Sequence, residues 1–169
     1  RAEWFDRHLT PGVFDALCPG EGDAALLELA AAVARTGAVP PDLRGFLTCV
    51  DGVVRDNGDP ARPRELDALA FISLDDVDLA RYTLHNRVTL CLSRGCINRC
   101  SFCSEGPNFG GFRTHSAEWI AEQVARLLPR LSASGLRPHI NFNDSLINGD
   151  MGVLERLCER IQERGLDFT

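Results

Sequence analysis

The sequence predicts an α/β fold with a parallel sheet, because strand-like apolar segments alternate with amphipathic helices along its second half. From residue 88 to residue 169 the predicted order is strand, helix, strand, helix, strand. Alternating strands and helices build parallel sheets through right-handed crossovers, and sites in such folds form at the carboxyl ends of the strands. Three cysteines follow the first of these strands. We therefore expect the functional site at that edge of the sheet.

The composition is that of a globular chain able to bury a core, with 44% hydrophobic and 25% charged residues. Its apolar runs are much shorter than the roughly 20 residues of a membrane helix, and no signal-peptide pattern is present. We therefore expect no membrane partner and a cytoplasmic location. There thiols stay reduced, so neighbouring cysteines favour metal binding or catalysis over disulfides. The formal net charge of −6 gives no indication of nucleic-acid binding, and the oligomeric state is left open.

Residues 1–58 are predicted to form a first domain that ends in a β-hairpin. Loop and short segments are expected over residues 1–19, followed by a helix from Ala24 to Arg35 with Asp23 as its N-cap. The residues expected on the buried stripe of this helix are Leu26, Leu27, Ala30, Val33 and Ala34. Between two apolar segments, Asp51-Gly52 predicts the two-residue turn of a hairpin.

Residues 59–86 are predicted to form an acidic linker. Prolines and acidic residues alternate there with scattered leucines, without a sustained hydrophobic period. This composition is typical of a segment that lies on a surface rather than of a free tether. We therefore place a domain boundary here and expect a second domain over residues 87–169.

The second domain is expected to begin with a buried strand, Val88–Leu92, from which a cysteine-containing loop leaves directly. A glycine-rich loop follows, and then a long amphipathic helix. Ser116 is the predicted N-cap of this helix. Pro129 should kink or shorten it, because proline lacks the backbone N–H and its ring meets the preceding turn.

A second strand is predicted at Arg137–Phe142 and a second helix at Met151–Arg164. Cys158 falls on the apolar stripe of that helix, so we expect it to be a buried apolar residue. A third strand is expected to start at residues 166–168. The polar loop after the second strand and the cysteine loop after the first should share one mouth, because both lie at the carboxyl edge of the sheet.

Cys96, Cys100 and Cys103 have C-x3-C-x2-C spacing within one short loop. Such a loop can bring three sulfurs to a common centre at low closure entropy, so the three thiolates can bind one metal ion or cluster. Structural zinc is the alternative, although zinc takes four ligands and the further candidates, His115 and Cys91, each stand alone. Two hypotheses therefore remain from the residues alone, an enzyme and a non-catalytic module that a bound metal stabilises.

The motif Cys96-x3-Cys100-x-Phe102-Cys103, directly after the first strand of a β/α unit, resembles the radical S-adenosylmethionine (SAM) superfamily. The segments that resemble its cobalamin-binding branch are Gly20-Glu21-Gly22-Asp23, Ser93-Arg94-Gly95-Cys96, Phe112-Arg113-x-x-Ser116 and Phe142-Asn143-Asp144-Ser145. The resemblance implies the start of a partial (β/α) barrel, with about two βα units and a third strand. The end of a Rossmann-like cobalamin-binding domain would precede it.

The resemblance implies that the three cysteines hold three irons of a 4Fe-4S cluster and leave the fourth iron open to SAM. Electron transfer from the reduced cluster would cleave SAM to methionine and a 5′-deoxyadenosyl radical. The residues that the resemblance implies as SAM contacts are Phe102, Asn143, Asp144 and Ser145. No catalytic residue is assigned beyond these.

The implied reaction is methyl transfer to, or rearrangement at, a carbon centre of a small molecule or peptide, with flavodoxin or ferredoxin as reductant. Whether cobalamin binds stays open, since residues 1–58 would hold only the end of its domain. A methylthiotransferase is the alternative within the superfamily, but it requires three further cluster cysteines upstream, where the sequence offers Cys18 and Cys49. The partial barrel of the superfamily contains several more βα units of about 30 residues each. We therefore expect this chain to be a fragment of a longer protein.

Overall fold

The computed structural model describes residues 14–169, except for the side chain of Pro107. Most of the loop predicted over residues 1–19 lies outside this range. The chain divides into two compact units, Arg1–Arg64 and Glu65–Thr169, and its class is mixed α/β. The division falls inside the predicted linker, and the predicted domain limits at residues 58 and 86 stay predictions. No described helix is long and apolar enough to cross a bilayer.

The first unit contains a three-stranded antiparallel sheet in the order β1 (Ala16–Leu17), β2 (Leu47–Val50) and β3 (Val53–Asp56). The predicted hairpin is confirmed, because β2 and β3 pair from Leu47 opposite Asp56 to Val50 opposite Val53. At the turn, Asp51 has a φ of 51° and Gly52 a φ of 78°. Positive φ at both central residues is the requirement of a type I′ hairpin turn.

Helix α1 (Asp23–Thr36) is present, but the predictions of its cap and its buried face are wrong. Gly22 occupies the N-cap position and no side chain caps the helix. The face that is buried carries Ala25 and Ala32, whereas Leu26 and Leu27 are 61% and 73% exposed. An Ala/Leu-rich helix is apolar on more than one face, so its periodicity does not decide which face packs.

The second unit contains the predicted parallel pair of strands. The pair consists of β4 (Arg87–Leu90) and β7 (His139–Phe142), and two short strands, β5 (Ser93–Arg94) and β6 (Arg113–Thr114), form an antiparallel pair beside it. Residues 166–168 do not form the predicted third strand. However, Ile140 N–H donates to the Thr169 carbonyl at 2.8 Å and Thr169 N–H donates to the Pro138 carbonyl at 2.9 Å, so the chain begins to pair with β7 there.

The α-helices of the second unit are α2 (Glu105–Phe109), α3 (Ala117–Ser132) and α4 (Met151–Glu163), and two 3-10 helices, Leu66–Ala68 and Leu79–Arg81, precede them. The predicted cap of α3 is confirmed, because the Ser116 hydroxyl accepts the N–H of Trp119 at 3.1 Å. Pro129 does not shorten α3, which continues to Ser132. Leu127 and Leu131, on either side of the proline, are 1% and 0% exposed, and their burial offsets the hydrogen bond that proline cannot make.

The core of the second unit lies between the β4–β7 sheet and helices α3 and α4. Leu90 and Ile140 from the sheet cluster with Val124, Leu127 and Leu131 from α3. Leu157 of α4 joins a second cluster with Leu92 and the start of α3. The prediction that Cys158 is buried is wrong, because its helix turns the neighbouring Leu157 toward the core and leaves the thiol exposed.

Residues 65–86 pack along α3 within the second unit. The side chain of Gln123 is almost fully buried and bonds both backbone groups of Ile72, accepting its N–H at 2.6 Å and donating to its carbonyl at 3.0 Å. Arg130 donates to the carbonyls of Leu74 and Val77, each at 3.0 Å. These contacts fix the segment against the helix at several points.

Candidate functional site

The candidate site is a cavity of about 910 Å³ beyond the carboxyl ends of β4 and β7. Cys96, Cys100 and Cys103 all line it, and Ser145 lines it from the loop after β7. The expected common mouth of the two loops is therefore present. Parallel pairing of β4 with β7 produces this arrangement, since it brings both carboxyl ends to the same edge.

The cysteine loop itself contains few backbone hydrogen bonds. One turn is closed by Cys103 N–H, which donates to the Cys100 carbonyl at 3.1 Å. Asn98 donates to the Cys96 sulfur from its backbone N–H at 3.4 Å and from its side-chain amide at 3.6 Å. The thiolate is the form in which a cysteine binds metals. The sequence reasoning did not assign Asn98 to the site.

The three thiols match an iron-sulfur cluster in donor type and number, because a 4Fe-4S cluster is held by cysteine thiolates and an incomplete set leaves one iron open. Cys96 and Cys103 are half-buried and Cys100 is exposed. Over residues 14–169, no three His, Cys, Asp or Glu side chains form a ready-made metal site. Metal ligands commonly converge only on binding, when they lose their protons. The chemistry of the donor set and the shared cavity therefore fit the cluster.

Of the four residues predicted to contact SAM, Ser145 lines the cavity, whereas Phe102, Asn143 and Asp144 are not among its lining residues. Phe102 lies on the cysteine loop and is 90% exposed. Asn143 and Ser145 are exposed on the loop after β7, and Asn143 N–H continues the sheet by donating to the Leu90 carbonyl at 2.9 Å. Asp144 points back toward the chain that leads into the cysteine loop. The role of all four as SAM contacts stays a prediction.

Asp144 makes three hydrogen bonds at the start of the cysteine loop. Its Oδ2 accepts the backbone N–H of Leu92 at 3.1 Å. Its Oδ1 accepts the N–H of Ser93 at 2.7 Å and the Ser93 hydroxyl at 2.6 Å. The carboxylate therefore connects the β7–α4 loop to the end of the β4 segment.

Glu105 is a cavity residue that the sequence reasoning missed. It lies on α2, just after the last of the three cysteines, and lines the cavity. Its Oε2 atom is buried and has no hydrogen-bond partner among the described residues. A buried carboxylate oxygen without a donor is costly, so this atom provides an acceptor for a ligand that enters the cavity. No pattern around Glu105 in the sequence marks it out.

Two glycines lie where neighbouring loops approach too closely for a side chain. A Cβ atom at Gly95 would lie 2.9 Å from the carbonyl oxygen of Gly111, and the φ of Gly95 is 77°. A Cβ atom at Gly149 would lie 2.5 Å from the ring of Phe112. Both separations are shorter than an added carbon atom tolerates, so glycine is needed where these loops meet.

His115, considered above as a zinc ligand, is buried away from the residues that line the cavity. Its Nδ1 lies 3.2 Å from Oδ1 of Asp67, and its ring stacks on Trp119 with centroids 3.7 Å apart. Burial lowers the pKa of His115 and outweighs the raising effect of the Asp67 carboxylate. For Asp67, partial burial raises the pKa, but hydrogen bonds from Ser116 and His115 lower it by more. His115 is therefore neutral near pH 7.

No family model matches the sequence. An uncharacterized methyltransferase of Pyrococcus horikoshii is 28% identical over 160 residues, which are 92% of this chain and 33% of that protein. The chain spans about a third of this curated relative.

Solved structures give the decisive comparison. OxsB, a cobalamin-dependent SAM radical enzyme with aqua-cobalamin bound, matches 96% of this chain with 22% of its own, at a TM-score of 0.72 and 24% identity. The chain has the fold of a segment of a radical SAM enzyme. OxsB with both aqua-cobalamin and SAM bound gives a TM-score of 0.70 at 23% identity, over 96% of this chain and 22% of its own.

TsrM of Kitasatospora setae is a further structural relative. It is a radical SAM methyltransferase, solved with its tryptophan substrate and a SAM analogue bound. It matches 89% of this chain with 29% of its own, at a TM-score of 0.60 and 20% identity. The resemblance drawn from the cysteine motif and its flanking segments is thus confirmed in the fold. At these identities the likeness shows the fold alone, and this chain spans less than a third of each solved structure.

Proposed function

We propose that this chain carries the cluster-binding start of a cobalamin-type radical SAM enzyme. The main observation in support is that Cys96, Cys100 and Cys103 line one cavity at the carboxyl edge of a parallel β/α unit. Ser145 from the neighbouring loop lines the same cavity. In this proposal the second unit begins a partial (β/α) barrel, and residues 1–58 end a Rossmann-like cobalamin-binding domain. The fold shared with OxsB supports both parts.

The three cysteine thiolates would hold three irons of a 4Fe-4S cluster and leave the fourth iron open to SAM. When bound and reduced, the cluster supplies the electron that cleaves SAM. Ser145 lines the cavity in which SAM would lie, and Phe102 and Asn143 belong to the two loops that contribute to its lining. The buried oxygen of Glu105 would accept a hydrogen bond from a donor group of a ligand in the cavity.

The proposed reaction of the whole protein is methyl transfer to, or rearrangement at, a carbon centre of a small molecule or peptide. Cobalamin is the proposed further cofactor, a flavodoxin or ferredoxin the proposed reductant, and the cytoplasm the proposed compartment. The curated relative, called a methyltransferase, and the bound cobalamin of OxsB support this choice.

Anaerobic reconstitution with iron and sulfide tests the proposal. We expect the reduced protein to give a 4Fe-4S electron paramagnetic resonance (EPR) signal that changes when SAM is added. Cys100→Ala should abolish the SAM-dependent change, because it removes one cluster ligand. Cys158→Ala is the matched control, since this thiol is exposed on α4 and outside the cavity lining. It should leave the signal intact.

Two results would contradict the proposal. Stoichiometric zinc with no response to SAM would favour the metal-stabilised module instead. Equal loss of signal in Cys100→Ala and Cys158→Ala would show that the ligand assignment is wrong.

A further inference from the structure

The chain that leads into the cysteine loop is held at one residue through both of its backbone polar groups. The N–H of Leu92 donates to Asp144 Oδ2 at 3.1 Å. The Leu92 carbonyl accepts the N–H of His115 at 2.9 Å and the hydroxyl of Thr114 at 3.1 Å. Leu92 is 4% exposed, and its bonds to Asp144 and Thr114 are partly buried. Both hydrogen-bonding groups of this residue are therefore fixed before the loop begins.

Asp144 also determines the position of the next residue. Its Oδ1 accepts both the N–H and the hydroxyl of Ser93, at 2.7 and 2.6 Å. Ser93 is 9% exposed, and hydrogen bonds to an ionised acceptor are stronger than those between neutral groups. With the bond from Leu92, the carboxylate accepts three protein donors. Its capacity to act on a ligand directly is correspondingly reduced.

The fixed part of the chain ends where the cysteines begin. After Ser93, Arg94 pairs with Arg113 in the β5–β6 ladder. Gly95 then approaches the Gly111 carbonyl so closely that an added Cβ would lie 2.9 Å from its oxygen. Cys96 is the next residue, and beyond it the loop has few backbone bonds. The contacts at residues 92–95 therefore anchor one end of the loop that carries the thiols.

We propose that Asp144 is a positioning residue. Its carboxylate holds the Leu92–Ser93 backbone and so sets where Cys96 stands relative to the loop after β7. Asp144 acts on the cluster and on SAM through this anchored backbone. The part of the proposal that concerns the cluster rests on the proposed function, whereas the anchoring of the backbone does not.

Amide hydrogen exchange of the metal-free chain tests the anchoring, with Asp144→Asn as the variant. The substitution removes the charge and turns an amide group toward backbone donors. We expect exchange at Leu92 and Ser93 to accelerate about tenfold or more, the effect of losing a hydrogen bond of ordinary strength. Exchange at Val124 and Leu127, in the core of α3, should not change. Unchanged exchange at Leu92 and Ser93 would overturn the proposal.

Asp150→Asn is the matched control. Asp150 belongs to the same β7–α4 loop and accepts a backbone N–H, that of Val153, at 3.1 Å. However, Asp150 caps α4 and makes no hydrogen bond to residues 92–95, which anchor the cysteine loop. Faster exchange at Leu92 and Ser93 in this control, as large as in Asp144→Asn, would also overturn the proposal.

If Asp144→Asn destabilises the whole unit, amide exchange in α3 also becomes faster and the result is ambiguous. Ser93→Ala resolves this ambiguity. This variant removes one hydroxyl bond and leaves the carboxylate in place. We expect a smaller, local acceleration at Ser93 and Leu92. If α3 is loosened in the first variant and no local change occurs in the second, Asp144 is a general stabilising residue and the proposal is wrong.

The reconstituted protein tests the consequence for the cluster. Asp144→Asn should keep its iron content but broaden the cluster EPR signal and raise the dissociation constant of SAM about tenfold, because Cys96 is no longer held in one position. An unchanged signal and SAM affinity would overturn the link to the cluster. If the unmodified chain forms no cluster, the proposed function is contradicted. The anchoring role of Asp144 is then tested by the hydrogen-exchange measurements alone.

Discussion

At the scale of single residues, partners in space decide what a polar side chain does. The family resemblance implies that Asp144 contacts SAM, and the structure adds that its carboxylate accepts hydrogen bonds from Leu92 and Ser93. His115 has the chemistry of a metal ligand, yet it is buried against Trp119 and bonded to Asp67. Neither partner could be read from the sequence, because the contacts join residues far apart along the chain.

His115 gives a prediction about pH at this scale. Burial lowers the pKa of its imidazole below the ordinary 6.5. Below that pH the unfolded chain therefore binds more protons than the folded chain, and the free energy of unfolding falls as the pH drops. Urea unfolding at about pH 7.5 and about pH 5.5 should show this loss of stability, and His115→Gln should show less of it. The lowered pKa of Asp67 acts in the same direction only below its ordinary 3.8.

The control for this prediction is His85→Gln, which changes a histidine outside the contact with Asp67 and Trp119. It should keep the pH dependence of the unmodified chain. If His115→Gln and the unmodified chain lose the same stability on acidification, protonation of His115 does not contribute.

At the scale of elements, strand and helix positions follow from local patterns, whereas the choice of buried face does not. Strands β4 and β7 and the cap of α3 are where alternation and capping chemistry predict them. The predicted buried face of helix α1 is wrong because alanine and leucine make several faces of this helix apolar. Pro129 does not shorten α3, because the burial of Leu127 and Leu131 outweighs the local cost of the proline.

Gln123 provides a prediction about how an element is attached. Its amide is 1% exposed and bonds both the N–H and the carbonyl of Ile72. Gln123→Leu keeps the size of the side chain but leaves two backbone groups without their partner, so we expect a loss of about 1–3 kcal/mol in the free energy of unfolding. Gln162→Leu, at an exposed position of α4, should change stability by less than about 0.5 kcal/mol in the same urea titration. Equal effects would contradict a specific role for the contact with Ile72.

At the scale of the whole molecule, the segment from residue 65 to residue 86 supports the unit that carries the cavity. Phe71 stacks on Trp119 with centroids 4.8 Å apart, and the guanidinium of Arg126 lies 4.3 Å from the centroid of the Phe71 ring. Leu74 and Leu79 pack against the cluster of Leu90 and α3. These contacts cover the outer side of α3 with a segment that composition alone predicts to be a linker.

Two shortened chains test this arrangement. A chain of residues 65–169 should unfold at a higher urea concentration than a chain of residues 87–169, because the second lacks the contacts to Gln123, Trp119 and Arg130. The expected difference is several kcal/mol, since each lost buried apolar side chain alone is worth about 1.5–3 kcal/mol. Equal midpoints with equal denaturant dependence would show that residues 65–86 are a linker without a stabilising role.

The sequence by itself determined the cysteine motif, the succession of β4, α3, β7 and α4, and the hairpin turn at Asp51-Gly52. These depend on neighbours a few residues apart, so periodicity and turn chemistry are sufficient to predict them. The tertiary structure decided the exposed leucines of α1, the attachment of residues 65–86, the buried oxygen of Glu105 and the bonds of Asp144. Each of these requires knowing which distant residue packs alongside, and no local pattern contains that information.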